Sequence, residues 1–240
     1  MIIDHTNHRV LDVVEWREKA TIVKYLREGQ KSGVFAHVTE VTTDMWDAYV
    51  EAAREVFGEA VAIVIDRFHV MKNLQEQLTV ARRELQRVLP AEEARVLKGS
   101  RRLWLTNPEN LEEDQLQQLT ALRAQFPQLA HLADHREALR QIFDDTSLTT
   151  PLAGAAQLAQ WSASARALGL IAVNKFCETL DRWRDKIANY FLHRSSNGPT
   201  EGFNNGLRTL LRRAYGMTNF RRFRLRVLDR FGHPQPQEST

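Results

Sequence analysis

The segment from Val61 to Ile65 constrains the fold of this chain more than any other part of the sequence. It consists of apolar, mostly β-branched residues and is followed directly by Asp66. A continuous apolar run this short is typical of a strand that is buried on both faces, as in a parallel sheet flanked by helices. Open α/β sheets bind their ligands at the carboxyl ends of such strands. The sequence therefore predicts an α/β fold with Asp66 at a candidate binding edge.

The residues before Val61 alternate between predicted strands and predicted helices. The predicted elements are a short strand starting at Met1, a strand at Val10–Val14, a helix at Lys19–Gly29, a strand at Val38–Thr43 and a helix at Met45–Phe57. Short connections between alternating strands and helices are typical of βαβ units with parallel strands. Because Asp44 follows one strand and Asp66 follows the next, we expect both carboxylates at the same end of neighbouring strands.

The residues after Asp66 are predicted to be almost entirely helical. Apolar periodicity, interrupted by proline and glycine, predicts helices at Val70–Leu89, Ala91–Leu105, Glu112–Gln125, Pro127–Phe143, Pro151–Leu168 and Ile171–Leu192. A loop is expected from His193 to Pro199. Thr200 is expected to be the N-cap of a helix at Glu201–Tyr215, and a last helix is expected at Asn219–Phe231.

The composition excludes several classes of protein. The chain has 240 residues and one cysteine, Cys177, so an internal disulfide and a cysteine zinc cluster within the chain are both excluded. The sequence contains no recognisable signal peptide and no apolar run long enough to span a bilayer. We therefore expect a cytoplasmic protein with no membrane partner.

Basic residues concentrate near the C-terminal end, although the formal net charge is only +3. Between Arg208 and Arg230 the sequence has eight arginines and one acidic residue, Asp229. A stripe of this kind is typical of proteins that bind the phosphate backbone of nucleic acid. The residues predicted to bind DNA are Arg208, Arg212, Arg213, Arg221 and Arg222.

Three acidic residues are candidates for chemistry: Asp44, Asp66 and Glu201. Two aspartates at strand ends and a glutamate at the start of a helix supply hard oxygen ligands from separate elements. Such ligands suit a pair of Mg²⁺ or Mn²⁺ ions that promote in-line displacement at phosphorus. The spacing alone also allows a structural interpretation, in which Asp44 and Asp66 are helix N-caps and Glu201 interacts with a helix dipole.

Other conspicuous side chains have structural interpretations. His69 is expected to be a hydrogen-bonded structural histidine unless it supports a site at Asp66. The five tryptophans are expected to pack in the core or between helices. They are Trp16, Trp46, Trp104, Trp161 and Trp183.

Three motifs in order resemble the ISL-three family of bacterial insertion-sequence transposases. They are Val41-Thr-Thr-Asp44-Met-Trp-Asp-Ala-Tyr49, Val64-Ile-Asp66-Arg-Phe-His69-Val-Met-Lys72, and Thr200-Glu201-Gly-Phe-Asn204-Asn205 running into Arg212-Arg213-Ala-Tyr-Gly216. The stretch from Leu180 to Phe191 is also similar to that family. The resemblance extends over nearly the whole chain.

The resemblance implies an RNase H-like DDE domain, whose sheet has the strand order three-two-one-four-five. It implies that Asp44 is the second catalytic acid and that Glu201 is the third, both binding Mg²⁺ or Mn²⁺. Asp66 and His69 are similar to a signature after strand five that supports the active site. The helical segment before Glu201 lies where the family has an insertion.

These considerations predict an α/β fold that is helix-rich and α+β overall, with an incomplete RNase H-like sheet and a large all-α insertion domain. The expected domains are a partial RNase H-like core at 1–69, a helical insertion at 70–192, basic C-terminal helices that complete the core at 193–231, and a disordered tail at 232–240.

The family's first aspartate lies on a strand with no matching motif here, since neither Asp4 nor Asp12 fits. We therefore expect an N-terminally truncated transposase that is inactive alone. Its expected partners are transposon-end and target DNA. A second copy of the chain or an intact transposase is expected as a protein partner. One alternative is a non-catalytic DNA-binding remnant that regulates an intact transposase. Another is an all-α interaction module in which the acids are caps.

Overall fold

The computed structural model describes residues 1–195, 198–213 and 219–233, without the side chains of residues 198–201. The chain divides into two compact units. Unit 1 comprises Met1–Ile63 and Ser195–Thr240, and unit 2 comprises Val64–Arg194. Each unit has its own core.

The elements of the described residues form a helix-rich α+β arrangement, which confirms the coarse fold class predicted from the sequence. The strands are β1 (Ile2–Asp4), β2 (Arg9–Asp12), β3 (Glu40–Thr43) and β4 (Ala62–Ile65). The helices are α1 (Lys19–Lys31), α2 (Asp47–Phe57), α3 (Arg67–Val88), α4 (Ala91–Leu97), α5 (Arg101–Leu105), α6 (Glu113–Gln125), α7 (Pro127–Asp144), α8 (Pro151–Arg166), α9 (Ile171–Ala188), α10 (Tyr190–His193), α11 (Gly198–Arg213) and α12 (Phe220–Phe231), with a 3-10 turn at Pro108–Asn110.

The strands of the described residues form two separate two-stranded sheets, β1–β2 and β3–β4. In the first, β1 and β2 are antiparallel, with Ile3 opposite Val10. The Asp4 side chain accepts hydrogen bonds from the backbone and side-chain amides of Asn7 in the turn, at 3.1 and 2.7 Å. In the second sheet, Ile63, Val64 and Ile65 of β4 are buried, as predicted. An isolated pair of strands is marginally stable, so both sheets depend on the helices that pack against them.

The core of unit 1 joins the hairpin to the C-terminal helices. Val10, Phe203 and Val227 are buried together, on β2, α11 and α12 respectively. At the edge of this cluster, the Arg224 guanidinium donates two hydrogen bonds to the Asp12 carboxylate. Burial, and to a lesser extent the Asp12 charge, raise the pKa of the nearby Tyr25 to about 12. The Tyr25 hydroxyl is therefore partly shielded from solvent.

Two predicted helix ends in unit 1 were wrong. The first helix continues past Gly29 to Lys31, and the turn that follows folds Phe35 back onto Gly29. A Cβ at Gly29 would lie 2.2 Å from the Phe35 ring, so this glycine serves close packing and does not end the helix. Helix α11 begins at Gly198, two residues before the predicted N-cap Thr200, and it takes in part of the predicted loop.

Unit 2 is a helical assembly in which α3 packs against α7 and α9, and α8 packs against both α7 and α9. Its last residue, Arg194, has a left-handed backbone with φ of 53°. Its guanidinium donates to the carbonyls of Phe143, Asp145 and Leu148 at 2.9, 2.6 and 2.5 Å. These bonds satisfy carbonyl groups at and just beyond the C-terminus of α7, which would otherwise lack partners.

Two long helices predicted for unit 2 are each broken. The predicted helix at Ala91–Leu105 is divided into α4 and α5 because the chain turns at Gly99, whose φ is 84°. The predicted helix at Ile171–Leu192 is divided at Asn189, which lies between α9 and α10.

The tail predicted at 232–240 lies outside the described residues from residue 234 onward.

Candidate active site

Asp44 lies directly after β3, but it is not the N-cap of the following helix. Helix α2 begins at Asp47 with Trp46 at the N-cap position, so the capping interpretation of Asp44 is wrong. The Oδ1 atom of Asp44 is buried and has no hydrogen-bond partner, whereas Oδ2 lies 3.9 Å from Nη2 of Arg17. A buried carboxylate oxygen without a donor is energetically costly. A hard cation would remove that cost, so Asp44 fits as a ligand of Mg²⁺ or Mn²⁺.

Arg17 is a neighbour of Asp44 that the spacing of residues in the sequence does not predict. Its Nε donates a hydrogen bond to the Tyr49 hydroxyl at 3.2 Å. Its guanidinium carbon lies 5.2 Å from the centre of the Trp46 ring and 5.9 Å from that of Tyr49. The bond to Tyr49 and, more weakly, the charge of Asp44 raise the pKa of Arg17. Asp44 therefore faces a cation that aromatic rings hold in place.

Two of the five tryptophans are not in the core, which corrects the sequence prediction. Trp104, Trp161 and Trp183 are buried, as expected. Trp16 is 63% exposed and Trp46 is 47% exposed. The period of a helix or strand offers no prediction for these two, because both lie outside the regular elements.

Asp66 is the N-cap of α3, as the structural interpretation proposed. It is 1% exposed, and its carboxylate accepts a hydrogen bond from the Phe68 backbone amide at 3.0 Å. His69 lies in the first turn of α3, half-buried, with its ring edge-on to Phe68. A supporting role for Asp66 and His69 stays a prediction, and both belong to unit 2.

Glu201 lies near the start of α11, in unit 1, but its side chain is outside the described part of the chain. Within the described part, no group of three or more His, Cys, Asp or Glu side chains is arranged to hold a metal ion. Among the residues that the structure describes, Asp44 is the one whose geometry supports metal binding. The pairing of Asp44 with Glu201 stays a prediction.

The arginines predicted to bind DNA are exposed on α11 and α12. This holds for Arg208, Arg212, Arg213, Arg221 and Arg222. Arg224 differs, because it faces the hairpin and contacts Asp12. The exposed side of α12 also presents Arg226, Arg230 and the acidic Asp229.

The amino-acid sequence of the chain matches the model of a known family. The sequence model of the DDE transposases of the ISL-three family, described as transposase, matches residues 1–227. This chain belongs to that family. The resemblance inferred from the three motifs is therefore confirmed.

A curated relative of this transposase-family chain is the transposase for insertion sequence element IS1001 of Bordetella parapertussis. The two sequences are 25% identical over 232 residues, which cover 95% of this chain and 55% of the relative. The chain thus spans about half the length of the curated transposase that it matches. No solved structure matches the chain. In the described part of this transposase-family chain, none of the helices has the length and apolarity needed to cross a membrane.

Proposed function

We propose that the chain contributes to a two-metal active site for DNA cleavage and strand transfer, with Asp44 and Glu201 as ligands of Mg²⁺ or Mn²⁺. The observation that supports this most directly is the Asp44 carboxylate, which keeps Oδ1 buried and without a hydrogen-bond donor. Membership of a DDE transposase family supports the use of divalent metal. In such sites a pair of ions supplies an activated attacking oxygen and stabilises the leaving oxygen.

The residues around Asp44 position its carboxylate for that role. The Asp44 carbonyl accepts a hydrogen bond from the Trp46 backbone amide at 2.8 Å, which fixes the turn between β3 and α2. Arg17 approaches Oδ2 and leaves Oδ1 without a partner. We propose that Glu201 completes the pair from the first turn of α11. We also propose a supporting role for Asp66 and His69.

We further propose that the strands belong to an RNase H-like sheet. On this proposal, β1 and β2 correspond to strands two and three, and β3 and β4 correspond to strands four and five. The two separate two-stranded sheets of the described residues support the assignment. In the expected strand order, strand one lies between these two pairs.

The hairpin aspartates are poor candidates for the first catalytic acid. Asp4 accepts hydrogen bonds from Asn7 and Arg9, and Asp12 is held by Arg224. A carboxylate that is already satisfied in this way loses its present partners on binding a metal. We propose that the first acid lies elsewhere and that the described chain does not complete strand transfer without it.

The direct test is a nicking and strand-transfer assay on transposon-end DNA with Mg²⁺ or Mn²⁺. We expect any metal-dependent nicking by this chain to be lost in both Asp44→Ala and Glu201→Ala, because each removes a metal ligand. Exposed Asp114 on α6 provides a control, Asp114→Ala, which should leave nicking unchanged. Robust nicking that persists in both ligand variants would rule out the proposed roles.

A second candidate function is non-catalytic DNA binding that regulates an intact transposase. The outward arginines of α11 and α12 favour it, because they bind phosphates whether or not a metal site is complete. The two functions share one DNA-binding surface and differ in their requirement for Asp44.

The DNA-binding role of α12 can be measured through its salt dependence. We expect the double variant Arg221→Ala/Arg222→Ala to bind duplex DNA more weakly, with a slope of log K against log salt that is smaller by about 1.8, since each phosphate contact contributes about 0.9. The control is Arg87→Ala/Arg95→Ala, which removes the same charge from exposed helical positions of unit 2. Fluorescence anisotropy across a salt series gives both slopes. Equal slopes in the two double variants would place the phosphate contacts elsewhere.

A further inference from the structure

Two exposed tryptophans lie on the chain segments that carry Asp44 and its neighbour Arg17. Trp16 precedes Arg17 in the connection between β2 and α1, and Trp46 lies two residues after Asp44. Tryptophan is highly buried on average in folded proteins, so two that are 63% and 47% exposed on connecting segments require an explanation. Exposed aromatic clusters of this kind mark binding surfaces.

The rings and the cation are already arranged around one another. Arg17 lies over both Trp46 and Tyr49, and its Nε bonds the Tyr49 hydroxyl, so its guanidinium is oriented before any partner arrives. The side chain of Arg17 is nevertheless 67% exposed. It therefore remains accessible to an anionic partner while its aromatic neighbours restrict its movement.

We propose that Arg17, Trp46 and Tyr49, here called the Trp46 surface, bind an unpaired nucleotide of a DNA strand beside Asp44. An aromatic face stacks on any base, and a guanidinium contacts the adjoining phosphate. This inference rests on the proposed function, in which a DNA strand must reach the ions at Asp44. It extends that function by assigning a site for single-stranded DNA outside the arginines of α11 and α12.

The charges near the Trp46 surface favour stacking as its main contribution. Glu15 and Glu18 are exposed on the same connecting segment as Arg17, and Asp44 adds a further negative charge. This segment therefore lacks the excess of positive charge found on α12. A divalent cation at Asp44 would reduce the repulsion of a phosphate, so binding at this surface should tighten when Mn²⁺ is present.

The test measures binding of a short oligothymidylate to the whole chain, with and without Mn²⁺, by fluorescence anisotropy. We expect Trp46→Ala to weaken binding about tenfold, within the range found for loss of one stacked base. Trp46→Phe keeps an aromatic face and should stay within about threefold of the original chain. The slope of log K against log salt should stay unchanged in both variants, in contrast to the arginine variants of α12. Val88→Ala is the control, since Val88 is 79% exposed on α3.

Three results would overturn the proposal. The first is unchanged oligothymidylate binding by Trp46→Ala with the original circular dichroism spectrum. The second is an equal loss with Trp46→Ala and Val88→Ala. The third is self-association of the chain through this surface. In that case Trp46→Ala would change the sedimentation coefficient of the protein and leave its affinity for oligothymidylate unchanged. Mn²⁺ binding distinguishes failure of the proposed function from failure of this inference. If Mn²⁺ binding does not depend on Asp44, the proposed function fails. If Mn²⁺ binding depends on Asp44 but Trp46→Ala binds oligothymidylate normally, only this inference fails.

Discussion

Replacing Asp44 with alanine is expected to abolish saturable Mn²⁺ binding by this chain. Loss of residues that merely orient metal ligands weakens affinity about 10- to 100-fold, and a direct ligand should reach or exceed the upper end of that range. Isothermal titration calorimetry with Mn²⁺ measures the effect. Asp47→Ala is the matched control, because Asp47 is an exposed aspartate in the first turn of α2. Equal Mn²⁺ affinity in Asp44→Ala and the original chain would remove Asp44 from the site.

The same substitution has a second expected effect, on stability without metal. Since Oδ1 is buried without a donor, its removal takes away a desolvation penalty, and the metal-free variant should be unchanged or more stable by about 1 kcal/mol. If Asp44 instead stabilised the fold, its replacement with alanine would lower the free energy of unfolding. Hydrogen exchange of β3 and α2 without metal measures which sign holds. Gain of stability together with loss of metal binding is typical of a functional residue.

The strand β4 shows how far local pattern determines structure here. Its apolar run predicted a buried strand, and its neighbour Asp66 was expected either to cap a helix or to bind metal. The capping interpretation is correct, because the aspartate oxygen reaches the Phe68 amide of the same short segment. Such contacts form between residues close in sequence, so sequence reasoning finds them.

The contacts that sequence reasoning missed join distant segments. Arg17 reaches Tyr49 and Asp44 from a connection with no regular period. The helix break at Gly99 was also missed, because the residues on both sides of this left-handed glycine have a helical pattern. Arg224 was counted among the eight arginines of the basic stripe, yet its guanidinium donates to the Asp12 carboxylate on the hairpin. The spacing of residues within one helix or strand does not predict the partners of Arg17 or of Arg224.

The contact between Arg224 and Asp12 leads to the second large prediction. Arg224→Ala should destabilise unit 1 by about 3 kcal/mol, because it leaves a buried carboxylate without its cation. The Asp12 side chain is only 10% exposed, whereas that of Arg224 is 41% exposed. Hydrogen exchange measured by mass spectrometry should therefore show faster exchange in β2 and α12, with no change in α8 and α9 of unit 2.

The unequal exposure of the two partners predicts unequal costs. Asp12→Asn should cost less than Arg224→Ala, since it leaves the charge on the partner that solvent reaches. Replacing both residues with uncharged ones of similar size, as in Asp12→Asn/Arg224→Met, should recover much of the loss, since neither charge is then buried alone. The control is Arg226→Ala on the exposed side of α12, expected to stay within about 0.5 kcal/mol of the original chain.

This ion pair joins residues 212 positions apart and holds the arginine-bearing helix α12 against the N-terminal hairpin. If that attachment positions the exposed arginines, Asp12→Asn should weaken duplex DNA binding although it removes no positive charge. Its salt slope should stay close to that of the original chain, because the number of phosphate-binding residues is unchanged. A normal DNA affinity in Asp12→Asn, alongside faster exchange in α12, would show that the helix binds DNA without its attachment to the hairpin.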